Sequence, residues 1–295
     1  MQLIFQQTAN GLVLGSAYAL VALGLFLVYS IMHIPNFAHG EFFTLGAYIQ
    51  YSMVTNFQLS SVSALAVTTL CIAALGLFVE RTMFEWLRHT QARLEIVLVS
   101  TLALGLTIQA AILQVWGGDP HGVPTPLDGS IEIAGVRVSN YRAMVIVVAL
   151  LIAVGLSYLV YHTALGKQMR AIAQNRSLAE VAGVPVVAVS AAAFAIGSAL
   201  AGLAGGLMAP TGPLTSTLGF HPMLVAFVIV IVIGGGGRLS AVLLSGFAVA
   251  TIETLTAAYI SAAMRDGMVF IILVAFLIAR PEGAIRQASA ERARL

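Results

Sequence analysis

The sequence predicts an all-α polytopic membrane protein, and three observations carry that prediction. Of its 295 residues, 59% are hydrophobic and only 9% charged, against about 25% charged in a soluble domain. Its mean hydropathy is +0.97. Apolar windows long enough to span a bilayer, about 20 residues, recur from one end to the other. Backbone polar groups in lipid must be satisfied within the segment, so these windows are helices. The chain 1–295 reads as a single integral-membrane domain of about eight to nine transmembrane segments, some of them broken.

The windows lie near Thr8–Ser30, Phe37–Asn56, Leu59–Met83, Glu95–Trp116, Tyr141–His162, Val186–Ala209 and Val242–Ala262. Two shorter ones sit near Pro222–Ile233 and Asp266–Ala279. The first ten residues hold no Lys or Arg, so the basic front end of a cleaved signal peptide is missing. The single cysteine, Cys71, falls in the apolar run "TTLCIAALGL" and is expected to be a packed thiol. A net charge of +2, without a basic patch, argues against nucleic-acid partners.

Charge placement predicts topology. Arg81, Arg88 and Arg93 form one basic cluster, Lys167, Arg170 and Arg176 a second, and Arg280, Arg286, Arg292 and Arg294 a third. These ten of the 14 basic residues should face the cytoplasm. Two windows separate the first cluster from the second and four the second from the third, so all three fall on one side. The N-terminus is then outside and the C-terminus cytoplasmic. The segment 117–140, rich in glycine and proline, becomes an external loop, and its "IEIAGVRV" alternates like a short hairpin.

Three polar breaks interrupt the apolar pattern. In "IPNFAHGEFF", Pro35 disfavours helix at Ile34 and Asn36 suits an N-cap, so a new helix is expected to start at Phe37. Its unpaired amides and positive dipole end make Asn36, Phe37, His39 and Glu41 candidates for lining a transport path. The bland alternative is a tight turn with His39 bonded to a carbonyl. In "IVIGGGGRLSAVLL", Gly234, Gly235, Gly236 and Gly237 cannot hold a stable helix. They take a mobile or path-lining role, or else serve close helix packing or a loop, with Ser240 suited to cap the next helix. The two breaks are expected to correspond as halves of an internal repeat.

The third break, "LGKQMRAIAQNRSLAEVAGVP", places Leu165, Met169 and Ile172 on one helical face and Lys167, Arg170 and Gln174 on the other. Gly183 suits a helix stop and Pro185 a helix start. One cytoplasmic surface helix over 165–184 is expected, either a solvated connector or a docking element.

The opening "NGLVLGSAYALVALGLFLVYSIMHIPNFAHGEFFTLGAY" resembles the branched-chain amino-acid ABC permeases of the LivH type. "ALGKQMRAIAQNRSLAEVAGV", "GGGGRLSAVLLSGF" and "RPEGAI" resemble further segments of that family. The resemblance implies that 165–184 couples to an ATPase, through Lys167, Arg170, Arg176, Glu180 and Gly183. It also implies a second homologous permease subunit, two ATP-binding-cassette ATPase subunits and a periplasmic substrate-binding protein. ATP would be bound by the partners, and this chain would carry no cofactor or metal of its own. Arg238, Ser240 and Ala241 depart from the family pattern, so branched-chain amino acids, urea and short amides all stay open as solutes.

Glu41, Arg238 and Glu253 read as isolated intramembrane charges. Each is expected to face protein or water, since a charge at the bilayer centre costs on the order of 3 kcal/mol. The chain has no G-x-x-x-x-G-K-[ST] loop, and it lacks H-E-x-x-H and G-x-S-G motifs. An enzyme is disfavoured on those grounds. The rival to an importer subunit is a stand-alone channel or secondary carrier for urea or an amide, a class that often keeps paired intramembrane charges. The site for an importer is the inner membrane of a bacterium, with lipid around it.

Overall fold

A computed structural model describes residues 2–133, 136–233 and 237–279. The first helix, α1 (Gln2–Met32), is apolar on every face and lies at the centre. Its apolar window is 89% buried, against 28% for the peripheral helices below; a helix apolar all round belongs inside a bundle. Around it run α2 (His39–Thr55), α3 (Ser61–Val79) continued through a π-helical turn (Glu80–Phe84) into α4 (Glu85–His89), and α5 (Leu94–Trp116). A hairpin comes next, β1 (Ser130–Ile133) against β2 (Val136–Ser139). Then come α6 (Asn140–His162), α7 (Ala164–Gln174), α8 (Arg176–Val181), α9 (Val186–Met208), α10 (Phe220–Ile233), α11 (Leu239–Tyr259) and α12 (Met264–Ala279).

Among the described residues, six helical runs are long and apolar enough to cross a membrane, while α2, α10 and α12 are shorter. The all-α polytopic class is as the sequence predicts. α3, α5 and α6 turn Leu70, Leu106 and Leu151 outward, the arrangement of a bundle solvated by lipid. Cys71 is exposed on that outer face of α3 rather than packed.

The bundle has two distinct ends. At one, Gln6 bonds twice to the hairpin backbone at Arg137, and Tyr141 donates to Leu207 O at the end of α9. His121 and Leu214 there form a two-bond backbone bridge. At the other lie α4, α7, α8 and the start of α11. Arg88 pairs with the fully buried Glu80 of the π turn, and Leu239 N reaches Tyr161 Oη. We call these the hairpin end and the basic end.

Two expectations about the surface segment change. The helix over 165–184 is two helices, α7 and α8, divided at Asn175, whose side chain accepts from Leu178 N and caps the second. An asparagine competes with the helix for its own backbone and so favours a cap over an interior position. Arg170 is also not on a free polar face: it donates to Val160 O at the end of α6 and lies over the Tyr161 ring. Gly183 stops α8 with φ +81, as a left-handed C-terminal position requires.

Candidate functional site

The stretch Ile34–Glu41 builds the first part of the site. α1 ends because His33 adopts a left-handed φ of 54, which turns the chain back along α1. From Val21 to Met32 the helix runs about 16 Å at ~1.5 Å per residue. Residues 33–38 retrace that distance in non-helical backbone, six residues at up to about 3.3 Å each. His39 therefore arrives beside Val21, and its Nε2–H donates to Val21 O at 3.2 Å. The restart is at His39, two residues later than Phe37, and Asn36 does not cap it. Asn36 Oδ1 instead accepts from Ala38 N at 3.1 Å, holding the turn that precedes the helix.

A second segment makes the matching excursion from the other end. After α9, residues 212–219 descend from the Leu214–His121 bridge until α10 begins with the His221 ring 5.8 Å from that of Tyr18. Gly219 N donates to Thr44 Oγ1 at 2.9 Å. A Cβ on Gly40 would stand 2.6 Å from Gly219 O, and one on Gly219 1.9 Å from Gly40 O. Two short helices thus start at the mid-depth of α1, touch backbone to backbone, and run in opposite directions. Their contact needs glycine on both sides. A second break, at 212–219, therefore meets the first. Gly237 is a bend at the basic end, and Gly234, Gly235 and Gly236 lie outside the described residues.

Above that junction, toward the hairpin end, a cavity of about 360 Å³ is lined by Leu14, Tyr18, Phe43, Leu218, His221 and Arg265 among others. A second cavity of about 510 Å³ adjoins it nearer the hairpin, with Asn10, Arg142 and Thr254 in its walls. Leu14, Met208, Thr211 and Arg265 line both.

Glu253 is not isolated. It is fully buried, yet Tyr18 Oη donates to its Oε2 at 2.8 Å and His221 Nε2 stands 3.1 Å from its Oε1. Arg265 Nε lies 3.6 Å from Oε2 and its NH2 donates to Tyr18 Oη at 3.3 Å. Burying a charge costs several kcal/mol per ion unless partners repay it, and these four groups from α1, α10, α11 and α12 do so together. The sequence reading missed Tyr18, His221 and Arg265, since nothing along the chain joins residue 18 to residue 253. The one available signal was Glu253 itself, because an intramembrane carboxylate demands a partner.

The residues selected from the sequence sit elsewhere. Phe37 stacks on Phe227 at 4.9 Å, on the basic side of the junction. Glu41 turns toward α5, its Cγ 3.6 Å from where a Gly105 Cβ would stand. Asn36 and His39 are fully buried. None of the four lines the two cavities. Lys167, Arg176, Glu180 and Gly183 are exposed on α7, α8 and the turn after them. Partial burial, and then the nearby Arg88 charge, hold the Arg176 pKa below the usual arginine value, with Glu180 and Glu80 opposing them. No group of metal-binding side chains occurs among the described residues.

Comparison with known proteins gives this arrangement its family. The family model for the branched-chain amino acid transport system permease component matches residues 7–277. The high-affinity branched-chain amino acid transport system permease protein BraD of Pseudomonas aeruginosa is 30% identical, over 97% of each chain. The corresponding LivH of Salmonella typhimurium is 28% identical over the same shares. A probable LivH of Methanocaldococcus jannaschii is 26% identical over 93% of this chain and 90% of its own. No solved structure is significantly similar. With a match running through all the long apolar helices, this chain is a multi-pass membrane protein belonging to the branched-chain amino acid transport permease family.

Proposed function

We propose that the chain is one of two homologous permease subunits of an ATP-driven importer, moving a small aliphatic amino acid by alternating access. The observation that carries this reading is the pair of half-depth helices meeting at Gly40 and Gly219 beneath a cavity on the hairpin side. Discontinuous helices at mid-depth are how transport proteins place backbone and side-chain polar groups along a solute path. The hairpin end faces outward and receives solute from a periplasmic binding protein, and the basic end faces the cytoplasm, where positive charge accumulates. There α7, α8 and the Gly183 turn offer exposed Lys167, Glu180 and Leu178 to two ATPase subunits. The chain has no phosphate-binding loop of its own, so hydrolysis belongs to those partners.

A stand-alone carrier gains one point from the structure, because Glu253 and Arg265 form the intramembrane charge pair that the sequence did not reveal. The exposed amphipathic α7 at the basic end, with Met169 and Ile172 buried and Lys167 outward, favours the importer. Reconstitution of the assembled complex in vesicles decides between them. The importer takes up leucine, isoleucine or valine only with ATP inside and binding protein outside. Uptake by this chain alone, driven by an ion gradient, would overturn the proposal.

A further inference from the structure

The 117–129 loop and the roof of the cavity above the helix junction are tied together at one residue. We propose that His121 is a positioning residue that clamps this roof, the backbone of 212–214, to α2 and α5, and that release of the clamp opens the cavity toward the hairpin end. The inference rests on the importer reading only for what releases the clamp, a solute-carrying partner docked on the loop.

Three observations support it. The first is the tie itself: His121 N donates to Leu214 O at 3.2 Å and Leu214 N to His121 O at 2.8 Å. Leu214 is 1% exposed and lines the cavity with Gly212 and Pro213. Five residues later Gly219 meets Gly40 where α10 begins, so a shift at Leu214 reaches both the roof and the helix junction. The second is the ring. Its Nε2–H donates to Trp116 O at the end of α5, at 2.8 Å, and it stacks on Tyr51 of α2 at 4.7 Å with Tyr48 edge-on at 6.0 Å. Trp116 Nε1 in turn donates to Ser52 Oγ at 2.7 Å, which closes the group onto α2.

The third is how little else holds the loop. Of residues 117–130, only His121 and Val123 are not exposed, and a Cβ at Gly117, Gly118 or Gly122 would meet nothing within 4 Å. The far end of the loop is tied to the start of α6, where Asn140 Nδ2 donates to Asp128 O. A permanent cover is sealed by apolar burial, and Val123 alone in this loop is buried. Few apolar contacts beside exposed backbone mark the part of a structure that opens first, from which moving elements are drawn. Pro120 next to His121, with Pro124 and Pro126 beyond it, stiffens the exposed chain into a handle.

Two measurements on the assembled complex in membrane vesicles test the clamp, both in a Cys71→Ala chain. In the first, Leu218→Cys places one thiol on the cavity wall and a membrane-impermeant maleimide is applied from the hairpin side. His121→Ala should speed labelling on the order of 10-fold, the scale of losing one hydrogen bond and one ring contact. His121→Phe, which keeps the stack, should fall between. Loaded binding protein should speed labelling of the parent and add little in His121→Ala. In the second, Tyr51→Cys/His121→Cys is joined by a short bis-thiosulfonate cross-linker that locks the loop to α2. ATP-driven leucine uptake should stop in the linked complex and return when a reductant cleaves the link, a reversal that a folding defect cannot give. Parent-rate labelling in His121→Ala, equal acceleration of both chains by binding protein, or uptake through the linked complex would overturn the clamp. Absence of uptake by the complex without these substitutions overturns the importer reading and the releasing partner with it, while the His121→Ala labelling rate still decides the clamp.

Discussion

Replacing Gly219 by alanine probes the point where the two half-depth helices touch. The added Cβ would lie 1.9 Å from Gly40 O and 2.6 Å from Thr44 Oγ1. The first neighbour is backbone, so it cannot rotate away, and the start of α10 must retreat by about an ångström. Overpacking of this kind costs about 1–3 kcal/mol. Retreat also stretches the Gly219 N–Thr44 Oγ1 bond of 2.9 Å, and a buried amide left without its acceptor costs about 1–3 kcal/mol more. The expected loss is therefore about 2–6 kcal/mol, a large share of the ~5–15 kcal/mol that keeps a protein folded. Thr44→Val adds no bulk at the contact but removes the Gly219 N bond together with the one Thr44 Oγ1 donates to Gly40 O at 3.3 Å, and should cost about 1–3 kcal/mol. Gly212→Ala, with nothing within 4 Å of the new Cβ, should stay within ~0.5 kcal/mol of the parent. Thermal unfolding of the detergent-purified chain, monitored by loss of the monodisperse peak, ranks the three. A Gly219→Ala protein that unfolds at the parent temperature would refute the tight junction, and with it the mid-depth start of α10.

Three further outcomes are expected from the same structure. Cysteine labelling in a Cys71→Ala chain should reach Asp128→Cys from outside and Thr90→Cys only from the cytoplasm; external labelling at position 90 would reverse the assignment of the basic end. His39→Leu removes the bond to Val21 O and should destabilise by roughly 1–3 kcal/mol, lowering transport through a displaced α2 start. An assembled variant with parent stability and transport would make that bond incidental. Lys167→Glu and Glu180→Lys, both exposed, should leave membrane levels unchanged yet weaken ATPase co-purification and abolish solute-stimulated hydrolysis, because a like-charge contact across an interface costs several kcal/mol. Arg170→Glu is a poorer probe of docking: it also removes the charge-assisted bond to Val160 O, worth about 1.5–3 kcal/mol.

Composition and local pattern were enough to read the class and the order of helices. Apolar length alone decides which stretches enter lipid, and the observed bounds of α5, α6 and α9 fall within a residue of the windows read from composition. Local chemistry also made the hairpin at 130–139 and the helix stop at Gly183 legible, since alternation and left-handed glycine are properties of neighbours in the chain. The remainder was settled by packing between distant segments. Asn36 was expected to cap a helix and instead holds a turn, because the chain must climb back along α1 before His39 can meet Val21. The glycine run drew attention as a break, while the junction formed through single glycines at 40 and 219, which no local pattern marks. Glu253 looked solitary because its partners Tyr18, His221 and Arg265 come from three other helices. A charge buried in an apolar bundle must be compensated, but only the packing of four helices determines which side chains do it.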